Sequence, residues 1–161
     1  MTETKGHGPG VRFPPPLVFV AGLVLGWIVD RYLFHLWPTL SSPAVSGAER
    51  VGIVFIGAGL GLIFWGIITF NRAETAVFPN HDASRLVVAG PYKYTRNPMY
   101  SGMSAAYIGV ALLIPSGWAF VMLPFVLLTL YRLVISREER YLTEAFGDQY
   151  RQYQARVGRW F

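Results

Sequence analysis

Four apolar stretches, residues 17–37, 51–70, 98–115 and 118–135, dominate this chain. A helix needs about 20 residues to cross the ~30 Å hydrocarbon layer of a bilayer at ~1.5 Å per residue. The first two stretches reach that length, and the last two need their flanks to complete a crossing. A water-soluble fold would have to bury all four beneath polar residues that the chain lacks. Charged residues are 14% of the 161 positions, against about 25% in soluble domains. Hydrophobic residues are 53%, and mean hydropathy is +0.37. The expected fold is therefore all-α and membrane-integral: four transmembrane helices, then an amphipathic cytoplasmic helix, in one domain of residues 1–161. The same composition excludes intrinsic disorder. The absence of Cys excludes disulfides, thiolate metal sites and a cysteine nucleophile.

The first stretch is longer than the apolar region of a signal peptide, and no small-residue cleavage site follows it, so it is expected to remain as a span. Residues 1–13 read as a mobile tail. Lys and Arg then orient the spans. Lys5 and Arg12 precede the first, and Arg50 alone separates the first from the second. Arg72, Arg85, Lys93 and Arg96 lie between the second and third, and Arg137, Arg140, Arg151, Arg156 and Arg159 follow the fourth. The positive-inside rule places both termini and the middle loop in the cytoplasm. Spread in this way, the net charge of +5 marks topology and not a nucleic-acid surface. Only Pro115-Ser116-Gly117 joins the last two stretches, which predicts an antiparallel hairpin with Pro98 and Ile135 at the same end.

The polar segments flanking that hairpin, 75–102 and 136–161, carry the unusual chemistry. The long middle loop, residues 71–97, has a length typical of functional loops. It ends in Gly90-Pro91-Tyr92 and Tyr94-Thr95-Arg96-Asn97-Pro98. Asn97 fits a helix cap and Pro98 the first helical position. In the second segment, Ser136 and Glu139 fit a capping box. Leu142, Phe146, Tyr150, Tyr153 and Val157 recur at helical spacing, as in a helix lying on or under a membrane. The adjacent Glu138 and Glu139 are either neutralised by Arg137 and Arg140, or one of them accepts hydrogen bonds from a ligand. His7, His35 and His81 are the only histidines, and His81 reads as a solvated loop residue. Gly57-Ala58-Gly59-Leu60-Gly61 has the look of a nucleotide loop, but it sits mid-span with no preceding strand. Its small residues read as close helix packing.

These two blocks resemble the isoprenylcysteine carboxyl methyltransferase and phospholipid methyltransferase superfamily of small integral membrane enzymes. The first block is Gly90-Pro91-Tyr92 with Tyr94-Thr95-Arg96-Asn97-Pro98-Met99-Tyr100 and Gly102. The second is Glu138-Glu139, Leu142, Phe146-Gly147, Tyr150, Tyr153, Val157 and Arg159. The resemblance implies an S-adenosylmethionine-dependent methyltransferase whose blocks enclose the cofactor at the cytoplasmic membrane face. It implies catalytic roles for Arg96, Asn97 and Glu139. It implies cofactor contacts from Tyr92, Tyr94, Arg96, Asn97, Pro98, Tyr100, Gly102, Glu138, Glu139, Tyr150 and Tyr153, and no metal.

Within that set, a Glu suits the ribose hydroxyls, and Arg96, with Lys93 second, suits the methionine carboxylate. The tyrosines suit the adenine. The family commonly has His where this chain has Asn97, which cannot titrate. The compact chain looks like a prokaryotic member, in the cytoplasmic membrane. Its expected partners are membrane lipid and a lipophilic or small-molecule methyl acceptor, with an isoprenylcysteine carboxylate first and a phospholipid amine second. A non-enzymatic four-helix scaffold or transporter is the remaining alternative. The scarcity of bases favours an acceptor already ionised at neutral pH.

Overall fold

The computed structural model describes residues 14–34, 43–73, 85–114 and 116–160. The tail, His7, His35 and the whole 74–84 loop segment, with His81, lie outside them. Five helices are present among the described residues: α1 (Pro15–Tyr32), α2 (Pro43–Arg72), α3 (Pro98–Leu113), α4 (Trp118–Leu130) and α5 (Ser136–Arg156). A 3₁₀ turn, Gly90–Lys93, precedes α3, and a π-helical segment, Tyr131–Ile135, joins α4 to α5. No strand occurs among the described residues. Among the described residues, three helical runs are long and apolar enough to cross a membrane: Pro15–Tyr32, Gly47–Arg72 and Trp118–Arg156. Helix α3 has 16 residues, or about 24 Å of rise.

Glycines decide which helices touch. Gly52, Gly59 and Gly66 recur every seventh residue on α2, and Gly102 and Gly109 do so on α3. A Cβ on Gly102 would lie 2.6 Å from the Gly59 carbonyl oxygen, and one on Gly109 would lie 2.5 Å from that of Gly52. The two backbones therefore touch, antiparallel, as small residues permit when lipid supplies no hydrophobic drive for association. Of the Gly57–Gly61 run, only Gly59 serves this contact, because Gly57 and Gly61 face open space. Helix α1 packs against α4 in the same manner, with Gly26 set against the Ala119 backbone.

The predicted hairpin is antiparallel, but its arms are not each other's close partners. Helix α3 runs along α2, and α4 runs along α1. Large side chains fill the wider space between α3 and α4. Tyr100, Tyr107, Val126, Leu130, Val134 and Ile135 form one buried cluster with Phe19 of α1. The Tyr107 hydroxyl donates to the Ala119 carbonyl at 2.7 Å. Pro98 and Ile135 lie at one end of this bundle.

The separate amphipathic helix expected after Ile135 is instead a continuation of α4 through the π segment. A helix that does not start at Ser136 leaves nothing there to cap. The Ser136 hydroxyl donates back to the Arg132 carbonyl at 3.0 Å, and Glu139 is used elsewhere, so the capping box does not form. The break comes later. Gly147 sits at φ +53°, ψ −125° inside α5, a conformation that only glycine adopts without strain. The redirected chain buries Tyr150 and Tyr153.

Candidate active site

The 3₁₀ turn, the start of α3, the start of α5 and residues 157–160 converge at one end of the bundle. Gly90, at φ +57°, begins the turn against Thr69 of α2, where a Cβ would come within 2.5 Å of the Thr69 hydroxyl oxygen. Pro91 and Tyr92 are thereby buried. The Tyr92 ring meets Phe70 edge-on at 5.2 Å, and its carbonyl accepts the Tyr153 hydroxyl at 2.7 Å.

Residues 95–97 are stitched to the segment after α5. The Arg96 N–H donates to the Gly158 carbonyl at 2.9 Å. The Thr95 hydroxyl and the Asn97 side-chain amide both donate to the Arg159 carbonyl at 3.0 Å. Asn97 precedes α3, but its side chain makes no capping bond. That role is only partly needed, because Pro98 at the first helical position has no N–H to satisfy.

Glu139 is the hub of the site. Its Oε1 accepts from Arg96 Nη1 and from Arg159 Nε, each at 2.9 Å, and its Oε2 accepts from Arg159 Nη2 at 2.9 Å. The Arg96 and Glu139 side chains are only 12% and 15% exposed. At that depth, charges are retained by pairing and hydrogen bonding. The Arg159 guanidinium also lies over the Tyr131 ring, 4.8 Å from its centroid.

Among the described residues, Glu138 has no such cation. It accepts the Tyr100 hydroxyl at 2.7 Å. Burial pushes its carboxyl up to about 7; the Tyr100 hydrogen bond opposes this and the Glu139 charge adds to it. Burial likewise pushes the Tyr92, Tyr150 and Tyr153 hydroxyls above their ordinary range. Because the folded state holds the Glu138 proton more tightly than the unfolded chain, this group's contribution to stability is full below pH 4.5 and is lost as pH rises through about 7. We expect a lower melting temperature in detergent at pH 8 than at pH 5, and Glu138→Gln to remove that difference. A wild-type melting temperature that is flat across this interval would refute the expectation.

Tyr92, Arg96, Asn97, Pro98, Tyr100, Glu138, Glu139, Tyr150 and Tyr153 thus gather at one end. Tyr94 does not join them and is 65% exposed. Gly102 faces Gly59 across the α2–α3 contact, so helix packing accounts for its missing side chain. Thr95, Gly158 and Arg159 were not among the expected site residues. Thr95 stands in the first motif block and Arg159 in the second, which hints at those two, and nothing in the sequence signals Gly158. Three buried polar atoms in the first segment have no partner among the described residues: the Tyr92 hydroxyl, Arg96 Nε and the Ser101 hydroxyl. Buried polar atoms are seldom left so, and these are open to a ligand.

Residues 48–149 match the family described as phospholipid methyltransferase. A probable protein-S-isoprenylcysteine O-methyltransferase of Oryza sativa subsp. indica is 28% identical over 130 residues, 78% of this chain and 68% of the relative. The protein-S-isoprenylcysteine O-methyltransferase of Schizosaccharomyces pombe is 35% identical over 72 residues, covering 45% of this chain and 30% of the relative. That of Saccharomyces cerevisiae is 37% identical over 73 residues, with the same two coverages. No solved structure matches the chain.

Proposed function

The chain belongs to the phospholipid methyltransferase family, and from that premise we propose that it moves a methyl group from S-adenosylmethionine to the carboxylate of a lipophilic acceptor of the isoprenylcysteine kind. Membership makes it a membrane methyltransferase and sets aside the scaffold reading. In this proposal, four spans place both termini and the site at the cytoplasmic face of a prokaryotic membrane. The observation that carries the proposal is the merging of two motif segments, far apart in sequence, around one buried ion cluster with unpartnered polar atoms.

Those atoms suit the donor. Its carboxylate and hydroxyls need hydrogen-bond partners, and Arg96 Nε with the Tyr92 and Ser101 hydroxyls can supply them. Tyr150 supplies an aromatic wall beside Arg96. The sulfonium brings a methyl group that is already activated, so the protein's task is orientation and electrostatics. Glu139 holds Arg96 in place. Asn97, tied to the Arg159 carbonyl, positions the start of α3 and moves no proton. A carboxylate acceptor is already ionised and needs no base. An acyl or prenyl tail can approach from the bilayer between helices.

One observation favours a phospholipid amine as a second acceptor class. An amine must lose a proton to be methylated, and the Glu138 carboxyl, poised near 7, is a base of suitable strength.

Equilibrium binding to the detergent-purified chain tests the reading, with NADPH as the control ligand. Saturable binding of S-adenosylmethionine alone is expected. Incubation with S-farnesylcysteine should then yield a base-labile methyl ester, and with phosphatidylethanolamine no base-stable methylamine. A folded sample that binds no S-adenosylmethionine would overturn the proposal. Methylation of the amine alone would replace the acceptor class.

A further inference from the structure

We infer that Arg159 is a positioning residue of the methyl-transfer site, keeping Arg96 available to the donor by competing with it for Glu139; this rests on the functional reading above. Arg159 reaches the site in two ways. Its carbonyl accepts from Thr95 and Asn97, while its guanidinium takes both oxygens of Glu139. Val157 ends α5 in an extended conformation, which lets residues 158–160 lie across residues 95–97. Trp160 then packs against the buried cluster of α1, α3 and α4. Tyr131 lies beneath the guanidinium and favours one placement of a side chain that would otherwise roam.

The consequence lies in how donors are shared. A carboxylate accepts an arginine best through two parallel N–H bonds. Arg159 already has that arrangement with Glu139, so Arg96 bonds through Nη1 alone. Its Nε is left buried without a hydrogen-bond partner among the described residues, with Tyr150 beside the guanidinium. Remove Arg159, and Arg96 is free to close a two-bond fork on Glu139 through Nε. The donor would then lose the group that reads its carboxylate, although nothing in the fold need come apart. Arg159 touches no reacting atom in this scheme and acts through Glu139 and Arg96.

The test uses the full chain in detergent and measures S-adenosylmethionine Kd, donor and acceptor KM, and melting temperature. Losing one charge-assisted hydrogen bond to the donor corresponds to about a 10- to 150-fold rise in Kd, and we expect R159A to fall in that range with acceptor KM unchanged. R159K, a point charge without a fork, should recover part of the affinity. R159A should add little to E139Q, because the competition needs the Glu139 carboxylate. R151A, which breaks only an exposed pair with Asp148, should leave binding unchanged.

A lower melting temperature with unchanged Kd in R159A would make Arg159 merely structural and overturn the inference. If R159A does not fold, R159K decides: a several-fold rise in Kd supports the inference and wild-type affinity overturns it. Wild-type protein that binds no donor would defeat the functional reading instead.

Discussion

Glu139→Ala is expected to abolish S-adenosylmethionine binding and also to lower stability by about 3 kcal/mol, the lower end of the cost of breaking a buried ion pair by removing one partner. The reason is the count of charges. Glu139 accepts three hydrogen bonds from two arginines, and alanine leaves both cations without their anion, Arg96 in an environment only 12% exposed. Read from the motif alone, this variant should fold normally and only fail to bind. The ion cluster adds a folding cost, because the same carboxylate ties α5 to the segment before α3. Glu139→Gln keeps the shape and part of the hydrogen bonding, and should lie between wild type and alanine in both measurements. Calorimetric titration with the cofactor, paired with thermal unfolding in detergent, separates the two effects. Wild-type affinity in Glu139→Ala would remove this residue from the site.

The second large effect is expected outside the ion cluster, at the contact between α2 and α3. Gly102→Val should cost about 3 kcal/mol or more, at or above the usual range for overpacking, and should weaken donor binding with it. A Cβ at this position meets the Gly59 carbonyl oxygen at 2.6 Å and Ile63 Cγ1 at 2.8 Å. The first of these is backbone and cannot rotate away, so α3 must move off α2. The start of α3 carries Asn97 and Tyr100, and its displacement would pull on the bonds to Arg159 and Glu138. Gly61→Val is the matched comparison. Nothing lies within 4 Å of a Cβ there, and exposed substitutions away from special features usually stay within about 0.5 kcal/mol. Equal melting temperatures for the two variants would show that the α2–α3 contact does not limit stability.

The site was legible in part, and the division follows from what each residue's role depends on. Arg96, Glu138 and Glu139 stand out in the sequence because charged residues are costly beside apolar helices, so their presence alone asks for an explanation. Asn97 marks the start of α3 as its pattern predicts but makes no capping bond with its side chain, and Ser136 starts no separate helix. Both have good local capping patterns, but a cap requires that a helix begin there with unsatisfied N–H groups. Pro98 removes one such group, and the continuous helix through residues 131–135 removes the need at Ser136 altogether. Arg159 could not be assigned from spacing, because its partners Thr95, Asn97 and Glu139 are set by how the chain folds back after Val157.

What the sequence alone determined is that the chain is helical and bound to a membrane, and that residues 90–102 and 136–159 carry the polar and charged groups that apolar spans do not explain. Apolar length and charge scarcity are properties of contiguous segments, and they act on the backbone wherever the segments end up. Only the tertiary structure decided that α3 lies against α2 and not against α4, because that choice rests on Gly59 and Gly102 falling opposite one another, a match between two helix faces. Only it decided that Glu139 binds two arginines while Glu138 binds Tyr100. Neighbours in sequence point about 100° apart around a helix, and so the two carboxylates meet different partners.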